Sequence, residues 1–216
     1  MPFITQLNPM TNEKSPMQSM PIELQFAAAC VGQASQLAMR AEAMGGILSA
    51  TNLDGSTVTS VDYAVQAWVG SQLEARFPND HFIGEEGTNL LRSFPDLLTQ
   101  GTEQVRLLLP EATEEKVFSW VARGEGQQAA DRFWLLDPIT PTRSLLTGGI
   151  YSIQLAGFWD GQVQVAAMLA SGLLFIAGRG QGSWLTLMDN SSPPIPLHVS
   201  SRTLKEATRL RADPPN

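Results

Sequence analysis

The sequence has few residues that could cross-link it or bind a soft metal. Its 216 residues include one cysteine, Cys30, and two histidines, His81 and His198, which lie far apart in the chain. A single cysteine excludes an intramolecular disulfide and is typical of proteins in a reducing compartment. A structural zinc site, which needs four Cys or His ligands, is not expected. We therefore predict a cytoplasmic protein.

Positive charge and long hydrophobic runs are also scarce. The chain has 14 Lys and Arg against 21 Asp and Glu, a formal net charge of −7 at pH 7. Proteins that bind nucleic acid polymers or anionic membranes need a basic surface, so we expect neither partner. The most apolar stretch, over 163–178, is interrupted by polar residues and is shorter than the ~20 apolar residues of a membrane helix. The first twenty residues contain no apolar segment typical of a secretory signal.

The first half of the chain contains the helical pattern. Apolar residues at helical spacing predict helices over 22–44 and 61–77, and two glycines follow the first of them. Thr113 is placed to cap a third helix that ends near residue 123. The rest of the segment 88–130 has no clear period.

The second half contains the strand pattern. Alternating apolar residues predict antiparallel strands over 151–159 and 162–169, joined by a turn at Asp160 and Gly161. Further strands are predicted over 81–83, 132–136 and 173–177. Helices followed by an antiparallel sheet indicate an α+β layered domain rather than a doubly wound one. We predict one domain over 21–210, with tails over 1–20 and 211–216.

Acidic residues follow two of the short apolar strands. Glu85 and Glu86 come after the strand over 81–83, and Asp137 ends the strand over 132–136. Carboxylates brought together at strand ends would suit Mg²⁺, which prefers hard oxygen ligands. Taken singly, each acid is better explained as an ordinary solvated residue at the end of a strand.

Four segments resemble motifs of one enzyme family, in the family's order. Residues 54–63, Asp-Gly-Ser-Thr-Val-Thr-Ser-Val-Asp-Tyr, resemble the Asp-x-Ser-Pro-Val-Thr-x-x-Asp-Tyr segment of 3′(2′),5′-bisphosphate nucleotidases. Residues 82–86, Phe-Ile-Gly-Glu-Glu, resemble the Gly-Glu-Glu motif of these enzymes and of inositol monophosphatases. Residues 134–142, Trp-Leu-Leu-Asp-Pro-Ile-Thr-Pro-Thr, resemble their Trp-x-x-Asp-Pro-Ile-Asp-Gly-Thr motif. Residues 179–184 resemble a downstream Arg-Gly-x-Gly-Ala segment, so the resemblance covers about 21–210.

The resemblance implies a fold, a reaction and a set of site residues. The fold is the layered α/β sandwich of the inositol monophosphatase type, and the reaction is Mg²⁺-dependent hydrolysis of a small phosphorylated metabolite. By the same resemblance, Glu85 and Asp137 would be carboxylate ligands of Mg²⁺ and Ile139 would offer its backbone carbonyl. Thr142 together with Asp54 would orient and deprotonate the attacking water. Glu86 is a weaker candidate ligand.

The sequence departs from the family motif at two adjacent positions. Thr140 stands where the family has a second aspartate, and Pro141 stands where it has glycine. A hydroxyl is a weaker Mg²⁺ ligand than a carboxylate, and proline has no backbone N–H. Family members also continue into a C-terminal region that supplies another ligand, and nothing after residues 199–202 matches it. We therefore expect one weak Mg²⁺ site, and an apolar sheet surface that is exposed or covered by self-association.

Three functional hypotheses follow. The first is a bisphosphate-nucleotidase-like protein whose phosphatase activity is impaired or lost. The second is an active Mg²⁺-dependent bisphosphate nucleotidase or a related small-molecule phosphatase. The third is a paralogue recruited to an accessory step of secondary-metabolite biosynthesis, in which the same acids would serve as general acids or bases.

Overall fold

Most helices lie in the first half of the chain and most strands in the second half in the computed structural model, which describes residues 19–126, 130–188 and 193–198. The helices are α1 (Ile22–Met44), α2 (Ser60–Arg76), α3 (Asn89–Ser93), α4 (Pro95–Val105), α5 (Glu114–Arg123) and α6 (Thr142–Thr147). The strands are β1 (Ser49–Thr51), β2 (Thr57–Thr59), β3 (His81–Ile83), β4 (Arg132–Thr140), β5 (Ser152–Trp159), β6 (Gln162–Ala170), β7 (Leu173–Gly178), β8 (Gly182–Leu187) and β9 (Ile195–Leu197). This is the predicted α+β order. The predicted N-terminal tail, apart from its last two residues, and the predicted C-terminal tail lie outside the described residues.

Capping residues explain the end of α1 and the start of α2. Helix α1 ends at Gly45, whose φ of 69° is readily adopted by glycine. Helix α2 begins with a capping box: the Thr59 hydroxyl accepts from the Asp62 backbone N–H, and the Asp62 carboxylate accepts from the Thr59 N–H at 2.8 Å. The helices predicted over 22–44 and 61–77 are therefore confirmed, the second with a start one residue earlier.

The large sheet contains seven of the described strands in the order β3-β4-β5-β6-β7-β8-β9. Strands β3 and β4 are parallel, and each later neighbour is antiparallel. The predicted hairpin of β5 and β6 is confirmed, with Asp160 and Gly161 at positive φ in its turn. Strand β4 is longer than predicted, because it continues through Pro138 and pairs Thr140 with Ser152 after an irregularity.

Layers of helices lie on one face of this sheet. Helix α1 contacts β5, β6 and β7, and α2 contacts β4, while α4 and α5 pack on the far side of α2. The sheet residues beneath α1 are almost completely buried; they include Ile153, Leu155, Ala167, Leu169 and Ile176. Helices α3 and α4 lie in the segment 88–130, where no clear periodicity is seen in the sequence. None of the described helices combines the length and hydropathy needed to cross a bilayer.

The opposite face of the sheet is apolar and only partly buried. Across the strands, Met168 pairs with Phe175 and Phe175 pairs with Leu185, and all three are half-buried. At the edges of this face, Leu135 is 41% exposed and Leu187 is 39% exposed. The residues of β5 to β8 that share the face carry no charge; they are Ser152, Gln154, Ala156, Phe158, Ala166, Met168, Ala170, Leu173, Phe175, Ala177, Ser183, Leu185 and Leu187.

We expect the part of this face formed by β5 to β8, which carries no charge, to pair with the same part of a second copy, because two apolar sheets pack face to face without burying charge. Replacing Phe175 with glutamate places a charge at the centre of the face and should shift the protein to monomer in light scattering. Gln162→Glu, which adds the same charge at an exposed position beside the hairpin turn, should leave the oligomer intact. A monomeric unmodified chain that binds no hydrophobic dye would contradict this expectation.

Candidate active site

The parallel pairing of β3 with β4 places two predicted metal ligands side by side. Ile83 is the register partner of Leu135. Glu85 lies two residues beyond Ile83, and Asp137 lies two residues beyond Leu135. Because parallel strands end at the same edge of a sheet, the two carboxylates are brought to the same place.

The pKa of Glu85 reflects its closeness to Asp137. Partial burial raises the pKa of Glu85, and the charge and carboxyl group of Asp137 raise it further. The charge of Asp54 makes a smaller contribution in the same direction. Three of the predicted site residues therefore lie in one region of negative potential, which favours binding of a cation.

Asp54 itself lies in the turn between β1 and β2 and is exposed. Its carboxylate accepts hydrogen bonds from the Ser56 hydroxyl at 2.7 Å and from the Ser56 N–H at 2.9 Å. These two bonds lower the pKa of Asp54, so the group is held in its charged form. The water-activating role that the resemblance gave to Asp54 stays a prediction.

The acid next to Thr142 is Asp62, which the sequence analysis did not select. The Thr142 Oγ1 lies 3.5 Å from Asp62 Oδ1 and 3.1 Å from the Ile139 carbonyl oxygen. The other Asp62 oxygen accepts from the Thr59 hydroxyl at 2.5 Å. Asp62 is one of the residues of the motif over 54–63, so that motif is the signal that could have selected it.

Burial makes Asp62 an unusual carboxyl group. Loss of solvent raises its pKa to about 7, although the hydrogen bonds from Thr59 act in the opposite direction. Glu86 is also buried, and its pKa is raised to about 8 by burial and then by the charges of Asp62 and Glu85. Of the two adjacent glutamates, Glu85 is thus the exposed one and Glu86 the buried one.

Thr140 contacts the neighbouring candidate ligand. Its hydroxyl donates a short hydrogen bond to the Asp137 carboxylate. The Thr140–Pro141 peptide bond is cis, and α6 begins at the next residue, Thr142. A hydroxyl therefore stands beside Asp137 at the position where the family motif has a carboxylate.

The residues present fit one hard cation. Within residues 19–126, 130–188 and 193–198, no group of three or more Asp, Glu, His or Cys side chains is arranged to hold a metal ion. Glu85 and Asp137 lie together, and with the carbonyl of Ile139 that the resemblance adds they would make an all-oxygen donor set, which suits Mg²⁺ when water fills its remaining positions. These donors are oxygen atoms of the kind that Mg²⁺ prefers, but they are too few to complete its coordination.

Comparison with known proteins identifies the family. The model of the inositol monophosphatase family matches residues 14–212, and the chain belongs to that family. It is 32% identical over 164 residues to the 3′(2′),5′-bisphosphate nucleotidase of Schizosaccharomyces pombe, covering 68% of this chain and 46% of the relative. It is 31% identical over 183 residues to the 3′(2′),5′-bisphosphate nucleotidase 1 of Arabidopsis thaliana, covering 68% and 51%. The chain thus spans about half the length of these curated relatives.

Solved structures agree on the fold. A Thermotoga maritima IMPase superimposes with a TM-score of 0.54 at 20% identity, covering 76% of this chain and 51% of the other. The inositol monophosphatase of Anabaena superimposes with a TM-score of 0.52 at 16% identity, covering 83% and 50%. The predicted inositol-monophosphatase-like fold is confirmed, and the chain covers about half the length of these structures.

The capping box next to the site can be tested by its effect on stability. Thr59→Ala removes the cap of α2 and a hydrogen-bond donor to buried Asp62, so it should lower the free energy of unfolding by about 1 kcal/mol or more. Urea denaturation measures the change. Thr57→Ala, at an exposed position of β2, is the matched control, and equal losses in the two variants would contradict the role of the cap.

Proposed function

We propose that this chain is a divalent-metal-dependent phosphate monoester hydrolase of reduced activity, acting on a small phosphorylated metabolite. The observation that carries the proposal is the placement of Glu85 beside Asp137 at the carboxyl edge of the parallel pair β3 and β4. Membership of the inositol monophosphatase family and similarity to bisphosphate nucleotidases support the reaction class.

Each residue of the site has a role in this proposal. Glu85, Asp137 and the Ile139 carbonyl would hold Mg²⁺, which when bound supplies neutralisation of phosphate charge and a lower pKa for coordinated water. The Thr142 hydroxyl would orient the attacking water, and Asp62 behind it would accept the proton through that hydroxyl. Asp54 adds negative charge at the mouth of the site.

Reduced activity follows from the contact between Thr140 and Asp137. The Thr140 hydroxyl uses one acceptor position of the Asp137 carboxylate and adds no charge of its own. A smaller set of carboxylates would hold Mg²⁺ less tightly, so the metal would neutralise the charge on the phosphate less completely and hydrolysis should be slow. A fully active bisphosphate nucleotidase remains the alternative that the same family membership supports.

Release of inorganic phosphate tests the proposal. With Mg²⁺ present, adenosine 3′,5′-bisphosphate or an inositol monophosphate should be hydrolysed slowly, and chelation should abolish the release. Glu85→Gln and Asp137→Asn should each reduce it by about tenfold or more, because each removes a charged ligand. Glu103→Gln, a matched change on the surface of α4, should have no effect.

Two outcomes would contradict this account. Fast Mg²⁺-dependent release by the unmodified chain would show that Thr140 does not limit the site. Release that persists at full rate in both ligand variants would place the activity elsewhere in the protein.

A further inference from the structure

A buried glutamine joins helix α2 to the loop that presents Glu85. Gln66 is fully buried, and its amide reaches out of its own helix. Its Nε2 donates to the Glu86 carbonyl at 2.7 Å and to the Val121 carbonyl at 3.3 Å, while its Oε1 accepts from the Glu86 N–H at 2.9 Å. The Gln66 side chain therefore forms hydrogen bonds with both the N–H and the carbonyl of Glu86, which are the groups that a neighbouring strand would pair.

Two glycines pack directly against this amide, so that a side chain at either position would displace it. A Cβ added at Gly84 would lie 2.4 Å from the Gln66 amide carbon, and one added at Gly124 would lie 2.9 Å from its Nε2. The same two glycines are joined by a hydrogen bond from the Gly84 N–H to the Gly124 carbonyl at 2.9 Å. The loop around Glu85 is thus held on the Gln66 amide by both packing and hydrogen bonds.

The position of Glu85 depends on this arrangement. Its neighbours in the chain, Gly84 and Glu86, both contact Gln66, so the intervening backbone has little freedom. Glu85 then points outward towards Asp137, while Glu86 is turned inward towards Asp62. Because these carboxylates repel one another, the loop needs a neutral hydrogen-bonding group to hold it in place.

We propose that Gln66 is a positioning residue of the candidate cation site, which sets divalent-cation affinity by holding the backbone of Glu86. The proposal rests on the proposed function, in which Glu85 is a ligand. It goes further by assigning a role to a residue that contacts neither cation nor substrate. Outer contacts of this kind typically change metal affinity by about 10–100-fold.

Titration with Mn²⁺, followed by its electron paramagnetic resonance signal, measures the affinity of each variant. Gln66→Leu should weaken Mn²⁺ binding by about tenfold or more. Gln104→Leu is the matched control: it removes another buried glutamine amide, which donates to the Ser60 hydroxyl at 3.0 Å and makes no contact with the loop. Unfolding free energies of both variants are measured, so that a general loss of stability is separated from a loss of affinity.

A second pair of variants tests the same contact without changing Gln66. Gly84→Ala pushes a methyl group into the amide and should weaken Mn²⁺ binding in the same way. Gly126→Ala, where a Cβ would meet its nearest atom at 3.7 Å, should leave binding unchanged. These two variants test the contact even if Gln66→Leu does not fold.

The outcomes separate this inference from the proposed function. If the unmodified chain binds Mn²⁺ and neither Gln66→Leu nor Gly84→Ala weakens binding beyond its control, the positioning role is overturned and the cation site stands. If the unmodified chain binds no Mn²⁺, the proposed function fails and the positioning role fails with it.

Discussion

The parallel pairing of β3 with β4 is the constraint on which the candidate site depends. Its register sets Ile83 opposite Leu135, and the two acids follow their strands at the same distance. A shift of one residue would separate Glu85 from Asp137 and turn one of them to the other side of the sheet. Phe82 of β3 and its register partner Trp134 of β4 are both buried under the helices, so packing fixes the register.

Buried polar groups of α2 also hold residues of the candidate site in position. Asp62 both caps α2 and contacts Thr142, so the start of a helix and a site residue share one hydrogen-bond network. Four residues later along α2, Gln66 holds the loop that presents Glu85. Helix α2 therefore carries residues that contact both Thr142 and the loop of Glu85, and it packs against α1, α4, α5 and β4.

The sequence predicted the elements whose pattern is local. Helix α1 and the hairpin of β5 and β6 follow from periodicity, because one face of each is buried. Helix α2 was predicted from apolar residues at helical spacing, although it is buried on all sides over 60–71. Helix α3 has only five residues, and the buried face of α4 includes Gly101, Thr102 and Gln104, so neither helix shows a run of apolar residues at helical spacing. Strand β4 extends past Pro138 because of its pairing with β5, which local propensity does not report.

The sequence predicted candidate residues of the site but not the contacts between them. The acids Glu85 and Asp137 could be selected from strand ends and family motifs. The pairing of Thr142 with Asp62 and the bond from Thr140 to Asp137 depend on how loops from distant segments meet, which spacing in the chain does not determine.

The most direct measurement is the number of divalent cations bound by the unmodified chain, obtained by calorimetric titration with MgCl₂. Two carboxylates and one carbonyl predict a single weakly bound ion per chain. Binding of two ions would show that the site is more complete than Glu85, Asp137 and Ile139 allow. Absence of binding would show that the close approach of these two carboxylates does not form a cation site.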